Sequence, residues 1–235
     1  EKKKRTAKMR EISVFDIIGP IMIGPSSSHT AGALRIAQTA RKIAGGNVKA
    51  VTFRLYGSFA KTYSGHGTDR ALVAGMLGFD TGDYRIRDSF KLAREAGLDF
   101  RFDICEENMP ELHPNTVDIT MTGENGEVTS VRGCSIGGGN IKIVMINSVA
   151  IEFTGEYNAL FISQYDKPGV LADICSVLEE KEINVAYMRV YREEKGTNAY
   201  SVIEIDGSAD ESVIEKLRRL DNIRSVKYLT AEAEK

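Results

Sequence analysis

The chain has 235 residues, of which 42% are hydrophobic and 27% charged, with only 5 prolines. This composition is typical of a folded protein with a sizeable core, and the length favours two domains over one. A net charge of -2 argues against nucleic acid as the main partner, since binding a phosphate backbone needs a concentrated basic excess. No apolar run approaches the roughly 20 residues of a membrane span, and no signal-peptide pattern opens the chain. We therefore expect a cytoplasmic protein without membrane association.

The basic residues at the start of the chain and the three cysteines each lead to a further prediction. Residues 1–10 carry six Lys or Arg side chains and almost nothing apolar, which predicts a flexible basic lead-in. Cys105, Cys134 and Cys175 are far apart in sequence and odd in number. This spacing predicts neither a disulfide framework nor a metal site in this chain.

The most unusual segment is residues 24–32, GPSSSHTAG, which leads directly into the alanine-rich run Ala33–Ala44. A serine or threonine at a helix start commonly does no more than cap the helix, and that interpretation stays open. One cap needs one hydroxyl, however, and this segment offers four: Ser26, Ser27, Ser28 and Thr30. Helix-start amides and the helix dipole attract anions, so we predict a cradle for a carboxylate or phosphate. His29 adds a proton carrier with an ordinary pKa near ~6.5.

The following elements are predicted from hydrophobic periodicity and from Gly, Asp and Pro signals. The alanine-rich run is a helix that ends at Gly45-Gly46, and Asp88 is expected to cap a later helix over residues 89–96. The other predicted elements of this half are a strand over 50–56, a helix over 70–77, a strand over 99–104, a hairpin formed by 116–122 and 127–135, and a strand over 141–146.

Two further polar loops contain the remaining histidines. Glycines flank His66 on both sides and Asp69 follows it, so a ligand could approach closely; a tight turn with an exposed histidine is the alternative. His113 is followed by Pro114 and by Asn115, whose side chain can both donate and accept hydrogen bonds. Since loops on a rigid scaffold often carry reactive residues, our hypothesis is that all three histidines converge on one pocket.

The second half has a different pattern. Strands over 160–165, 183–191, 199–206 and 223–230 alternate with helices over 170–181 and 211–220, the latter capped by Asp210. The order β-α-β-β-α-β is the ferredoxin-like plan. We therefore predict an α+β protein with an α/β domain over residues 11–152 and a ferredoxin-like domain over residues 158–235.

Taken together, both halves resemble the β chain of the two-subunit, iron–sulfur-dependent bacterial L-serine dehydratase. The motifs that carry the resemblance are SVFDIIGP (13–20), GPSSSHTAG (24–32), YGS (56–58), GHGTD (65–69), HPN (113–115) and SIGGG (135–139). The C-terminal half resembles an ACT domain through DKPGVL (166–171). The first half also resembles the accessory, allosteric substrate binding-like domain of some phosphoglycerate dehydrogenases, which binds an anion without doing chemistry.

The resemblance implies conversion of L-serine to pyruvate and ammonia by β-elimination, with a [4Fe-4S] cluster held by a separate α subunit. That cluster would serve as the Lewis acid for the departing hydroxyl. In this chain His29 is then the candidate base, and the hydroxyls of the cradle hold the carboxylate. The expected further substrate contacts are His66, Asp69 and Asn115.

A purely regulatory, amino-acid-sensing module is the rival interpretation. ACT domains commonly bind an amino-acid effector near the turn that Pro168, Gly169 and Val170 form here, usually across a dimer interface. The resemblance therefore implies an effector site at these three residues and self-association through this domain. The same residues also suit a plain strand-to-helix turn.

Overall fold

A computed structural model of the protein describes residues 22–45 and 47–231. The predicted lead-in over residues 1–10 and the motif over residues 13–20 lie outside the described residues. Within the described ranges the fold is α+β, as predicted, and consists of a six-stranded and a four-stranded sheet with helices packed on them. None of the helices in these ranges is long and apolar enough to cross a membrane.

The N-terminal unit, residues 22–153, begins with a π-helical turn at Ser27–Gly32 that continues directly into the first α-helix. Its other elements follow in chain order: α1 (Ala33–Ala44), β1 (Val48–Leu55), α2 (Gly57–Thr62), α3 (Thr68–Leu77), a 3₁₀ turn (Tyr84–Asp88), α4 (Ser89–Glu95), β2 (Asp99–Ile104), β3 (Thr116–Gly123), β4 (Val128–Gly137), β5 (Asn140–Ile146) and β6 (Val149–Phe153).

The N-terminal sheet has the order β2-β1-β3-β4-β5-β6. Strands β1 and β2 are parallel, and the other neighbours are antiparallel. A parallel pair needs a crossover connection, which α2, α3 and α4 supply here. This crossover places the segments 57–62 and 65–69 at the end of the sheet where β1 finishes.

Small residues let α1 pack closely within the core. Its buried face consists of Ala33, Leu34, Ile36, Ala37, Ala40 and Ile43. The helix ends at Gly45, which adopts a left-handed conformation with φ 67° and donates its amide to the Arg41 carbonyl. Both predicted ends of this helix are therefore confirmed.

The C-terminal unit, residues 158–231, has the predicted β-α-β-β-α-β order. It comprises β7 (Asn158–Tyr165), α5 (Val170–Glu180), β8 (Val185–Arg192), β9 (Asn198–Ile205), α6 (Glu211–Arg218) and β10 (Ile223–Leu229). The sheet order is β10-β7-β9-β8, and all neighbours are antiparallel. This arrangement confirms the ferredoxin-like fold.

The two faces of the C-terminal sheet pack against different partners. Leu160 and Ile162 on β7 join the core formed with α5 and α6. Phe161, which points to the other face, belongs to the core of the N-terminal unit and meets Phe153 edge-on at 5.1 Å between ring centroids. On the same side Lys227 Nζ on β10 donates to the Ala44 carbonyl at the end of α1, 3.4 Å away. One face of the C-terminal sheet therefore completes the core of the N-terminal unit, and the other face packs in a second core with α5 and α6.

The structure differs from the sequence predictions in three places. Helix α2 and strand β6 were not predicted, since both are short and neither has a long periodic pattern. The predicted cap at Asp88 is wrong, because its side chain makes no capping hydrogen bond. The 3₁₀ turn runs directly into α4, so that the Ser89 amide already donates to the Ile86 carbonyl.

The cap at Asp210 is confirmed, and it gives a matched test of capping. Its carboxylate accepts from the Val213 amide at 3.0 Å. We expect Asp210→Ala to lower the free energy of unfolding by about 1 kcal/mol, because one helix-start amide loses its acceptor. Asp88→Ala is the control and should stay within about 0.5 kcal/mol of wild type. Urea unfolding followed by circular dichroism measures both, and equal losses in the two variants would contradict the assignment.

Candidate functional site

The serine-rich segment forms a capped π-helical turn. Ser26 is its N-cap: Ser26 Oγ accepts from the His29 amide at 3.3 Å, and the Ser26 carbonyl accepts from the Thr30 amide at 2.8 Å. The capping interpretation is therefore correct for Ser26. The side chains of Ser27 and Ser28 are half-buried on the same turn. Single π-helical turns are rare and are frequently found at functional sites.

Thr30 is placed differently from the three serines. It is 2% exposed and packs against Gly24, and its Oγ1 has no hydrogen-bond partner within the described chain. Of the four predicted hydroxyls, Thr30 is therefore enclosed by the chain, whereas the three serines are half-buried.

The His29 imidazole lies between two hydroxyls. Its Nε2 is 3.0 Å from Ser58 Oγ and its Nδ1 is 3.3 Å from Ser26 Oγ. We call this arrangement the Ser26–His29–Ser58 chain. Ser58 lies in the first turn of α2, 29 positions along the sequence, so the fold brings together two motifs that the sequence leaves apart.

Two rings enclose His29 on its other sides. His66 meets it edge-on at 4.9 Å between ring centroids, and Phe59 does so at 5.3 Å. Burial, together with the neighbouring His66, lowers the pKa of His29 below its ordinary value of 6.5. The imidazole is therefore neutral at physiological pH, which is the form that can accept a proton.

The lowered pKa of His29 predicts a dependence of stability on pH. As the pH falls through 6.5, His29 becomes protonated in the unfolded chain but stays neutral in the folded protein. Because the unfolded state then binds more protons, the free energy of unfolding decreases. We expect His29→Gln to lose less stability than wild type between about pH 7.5 and about pH 5.5. Urea unfolding at both pH values measures the difference, and identical losses for the two proteins would contradict the shift.

The start of α3 brings His66, Thr68 and Asp69 to the same side of the unit. Asp69 is 9% exposed, and its Oδ1 accepts from the Arg70 amide at 2.7 Å. Burial raises the pKa of Asp69, partly offset by that amide and by the Arg70 charge. His66 Nδ1 and Thr68 Oγ1 are buried without a hydrogen-bond partner in the described chain. The His66 ring of this loop contacts the His29 ring.

The loop that carries His113 and Asn115 is hydrogen-bonded to the backbone of Ser58 and of Ser135. Asn115 Nδ2 donates to the Ser135 carbonyl at 3.4 Å, and the Asn115 carbonyl accepts from the Ser135 amide at 3.0 Å. The Pro114 carbonyl accepts from the Ser58 amide at 2.7 Å. His113 is exposed, and its Nδ1 accepts from the Asn115 amide at 3.1 Å. Two of the three histidines are thus in ring contact, and the third lies in the loop that holds Ser58.

Two site residues had no role assigned from the sequence. Ser58 belongs to the YGS motif, in which the preceding glycine was the one local sign that this serine could take part in a site. Ser135, in the SIGGG motif, is fully buried, and its Oγ has no hydrogen-bond partner within the described residues. Ser135 Cβ is 2.7 Å from where a Gly32 side chain would begin, so only glycine fits opposite it in the π-helical turn.

The predicted effector residues lie at the β7–α5 turn of the C-terminal unit. Pro168 and Gly169 are exposed, whereas Val170 is 2% exposed and packs in the core of that unit. Val170 can therefore shape the turn from inside but offers little surface to a ligand. Gly169 has φ 93° and starts the helix without a side-chain cap.

The described residues contain no group of three or more His, Cys, Asp or Glu side chains that could hold a metal ion. Cys105 and Cys134 are buried and Cys175 is exposed, each as a free thiol. This part of the chain therefore does not fit an iron–sulfur cluster, which needs several thiolates close together.

The fold and the site define an α+β protein with a Ser/His pocket in the N-terminal unit and a ferredoxin-like C-terminal unit. Residues 13–144 match the family model described as "Serine dehydratase beta chain", and residues 158–222 match the one described as "ACT domain". The chain belongs to the serine dehydratase beta chain family and carries an ACT domain at its C-terminal end.

Full-length relatives agree with this family. The "Probable L-serine dehydratase, beta chain" of Bacillus subtilis is 44% identical over 218 residues, which cover 93% of this chain and 98% of that protein. The "L-serine dehydratase, beta chain" of Peptoniphilus asaccharolyticus is 44% identical over 94% of this chain and 99% of its own length. The "D-3-phosphoglycerate dehydrogenase" of Bacillus subtilis is 28% identical over 59% of this chain and only 26% of its own length.

Proposed function

We propose that this chain is the β subunit of a cytoplasmic L-serine dehydratase, a lyase that converts L-serine to pyruvate and ammonia. The names of relatives 44% identical over more than nine-tenths of the chain support the substrate and the reaction. The observation that carries the proposal is the half-buried, neutral His29 between two hydroxyls. β-Elimination needs a proton acceptor beside a carboxylate site, and this pocket offers both.

In the proposed reaction the hydroxyls of Ser26, Ser27 and Ser28 bind the serine carboxylate. The His29 imidazole accepts the α-proton, and the Cα–H electron pair forms the new C=C bond as the β-hydroxyl leaves; the departing hydroxide takes up that proton and is released as water. The aminoacrylate product tautomerises to the imine, which a water molecule hydrolyses to pyruvate and ammonia. General-base catalysis of this kind contributes roughly 10² to 10⁴ in rate. His66, which meets the His29 ring, is a further substrate contact in this proposal, together with Asp69 and Asn115. Thr30, the fourth predicted hydroxyl, is buried beside Gly24.

The iron–sulfur cluster belongs to a separate α subunit in this proposal. The described residues of the β chain lack a suitable group of ligands, and its three cysteines are free thiols. The active enzyme is then a complex of both subunits, in which this chain completes the active site. The ACT domain binds an amino-acid effector around Pro168 and Gly169 and contributes self-association.

A regulatory role is the second candidate, and one observation favours it. Helix α1, which starts at the pocket, ends against the ACT strand β10, where Lys227 Nζ donates to the Ala44 carbonyl. In this alternative the pocket binds serine as a signal and the helix connects it to the ACT domain.

Pyruvate formation by the α subunit with and without this chain distinguishes the two roles. A shared active site requires strict dependence: the α subunit alone, with its cluster intact by absorption spectroscopy, should be inactive. Substantial turnover by the cluster-loaded α subunit alone would overturn the catalytic role and favour the regulatory one.

A further inference from the structure

An open cleft of about 990 Å³ lies beside the Ser26–His29–Ser58 chain, between helix α2 and the loop that follows β2. Its volume is at the upper end of the roughly 300–1,000 Å³ typical of small-molecule sites. The residues on which the argument depends are Ser58 and Lys61 on the helix and Glu106, Glu107 and Pro114 on the loops.

Ser58 connects this cleft with the imidazole. It lines the cleft, and its Oγ is 3.0 Å from His29 Nε2. The backbone fixes its position, since the Ser58 amide donates to the Pro114 carbonyl at 2.7 Å. Gly57 before it has φ 53°, and a side chain there would meet the same carbonyl at 2.7 Å. The hydroxyl is therefore held at the cleft wall with little freedom to move.

A serine hydroxyl has one donor and two acceptor positions. His29 Nε2 takes one of these positions, whichever of the two groups donates the hydrogen. At least one position remains for a ligand in the cleft. The Ser58 hydroxyl would then connect a ligand in the cleft with the His29 ring.

The charged side chains of the cleft suit a zwitterion. Lys61 is exposed on helix α2, and Glu106 and Glu107 are exposed on the opposite loop. One cation facing carboxylates matches the carboxylate and ammonium groups of a free α-amino acid. An anion alone, such as phosphate, would be repelled by the two glutamates.

We infer that this cleft is a second amino-acid site of the chain, separate from the serine turn at 26–28, where Ser58 contacts the ligand, Lys61 pairs with its carboxylate, and Glu106 or Glu107 pairs with its ammonium group. The inference rests on the proposed function for the identity of the ligand, L-serine. It adds a residue, Ser58, and a place, the cleft, from which a bound amino acid is linked to His29 through the Ser58 hydroxyl.

The test is titration of the full-length chain with L-serine by isothermal calorimetry. We expect Ser58→Ala and Lys61→Gln each to weaken binding about tenfold or more, as for hydrogen bonds to charged groups. Ser130→Ala is the matched control: Ser130 is also half-buried and bonded to one side chain, Thr120, at 3.5 Å, and it does not line the cleft. L-Serinamide, which lacks the carboxylate, should bind weakly to wild type and be indifferent to Lys61→Gln.

Absence of L-serine binding to wild type, or binding to both cleft variants within twofold of wild type, would overturn the inference. Lys61 is exposed, so its variant tests the cleft even where Ser58→Ala perturbs folding. Failure of the proposed catalytic role is distinguishable: L-serine would still bind through Ser58 while the α subunit alone remained active. Strict dependence of catalysis on this chain, combined with wild-type affinity in both variants, would reject only the cleft.

Discussion

His29→Ala should lower kcat/KM for pyruvate formation by the reconstituted two-subunit enzyme by about 10²- to 10⁴-fold. The reason is geometric as well as chemical. His29 is neutral at working pH because burial and His66 lower its pKa, and it lies between the Ser26 and Ser58 hydroxyls. Alanine removes the proton acceptor together with both of these hydrogen bonds. Steady-state assays with saturating α subunit measure the loss.

Two controls separate lost chemistry from lost structure. His29→Ala should still associate with the α subunit, as measured by size-exclusion chromatography. Its melting temperature, compared with that of wild type, measures any loss of folding stability. His29→Gln keeps a side chain that can bond both serines, so it should restore folding without restoring turnover. Activity of His29→Ala within a few-fold of wild type, with intact association, would remove His29 from the chemistry.

The secondary structure was largely predictable because it depends on local patterns. The alanine-rich helix has a clear apolar face and a terminal glycine, and its ends match the structure, Ala33–Ala44. The second half gave its full β-α-β-β-α-β order, since each strand alternates and each helix is amphipathic. Strand β6 is only five residues long, too short for periodicity to distinguish it from a loop.

The site was less predictable, because it depends on which residues the fold brings together. The segment with Ser26 and His29 was recognised from its density of polar side chains, yet nothing local indicates that His29 bonds Ser58, 29 positions away. The sequence does not show which of these hydroxyls is buried either. Thr30 is as polar as its neighbouring serines, but it is only 2% exposed. Asn115 was expected to contact a ligand, and nothing local in the sequence indicates that its amide donates to the Ser135 carbonyl.

Close packing of α1 against α3 predicts the second large effect. Gly75 on α3 faces α1: a side chain there would collide with the Leu34 carbonyl and would lie 2.7 Å from Ala37 Cβ. Gly75→Ala gains about 1 kcal/mol of helix propensity. The collision involves backbone, which can be relieved only by separating the helices, at a cost of about 3 kcal/mol. We therefore expect a net loss of about 2 kcal/mol, or a melting temperature lowered by about 6 °C.

Gly65→Ala is the matched control for Gly75→Ala. Gly65 lies in the turn before α3 and is exposed, and the nearest atom to an added side chain is the Thr62 carbonyl oxygen at 3.8 Å. This variant should stay within about 0.5 kcal/mol of wild type in urea unfolding. Because α1 begins at the π-helical turn, separating it from α3 also displaces Ser26 and His29, so Gly75→Ala should weaken L-serine binding as well. A Gly75→Ala protein as stable as wild type would mean that the two helices do not pack as closely as the contact between Gly75 and Leu34 requires.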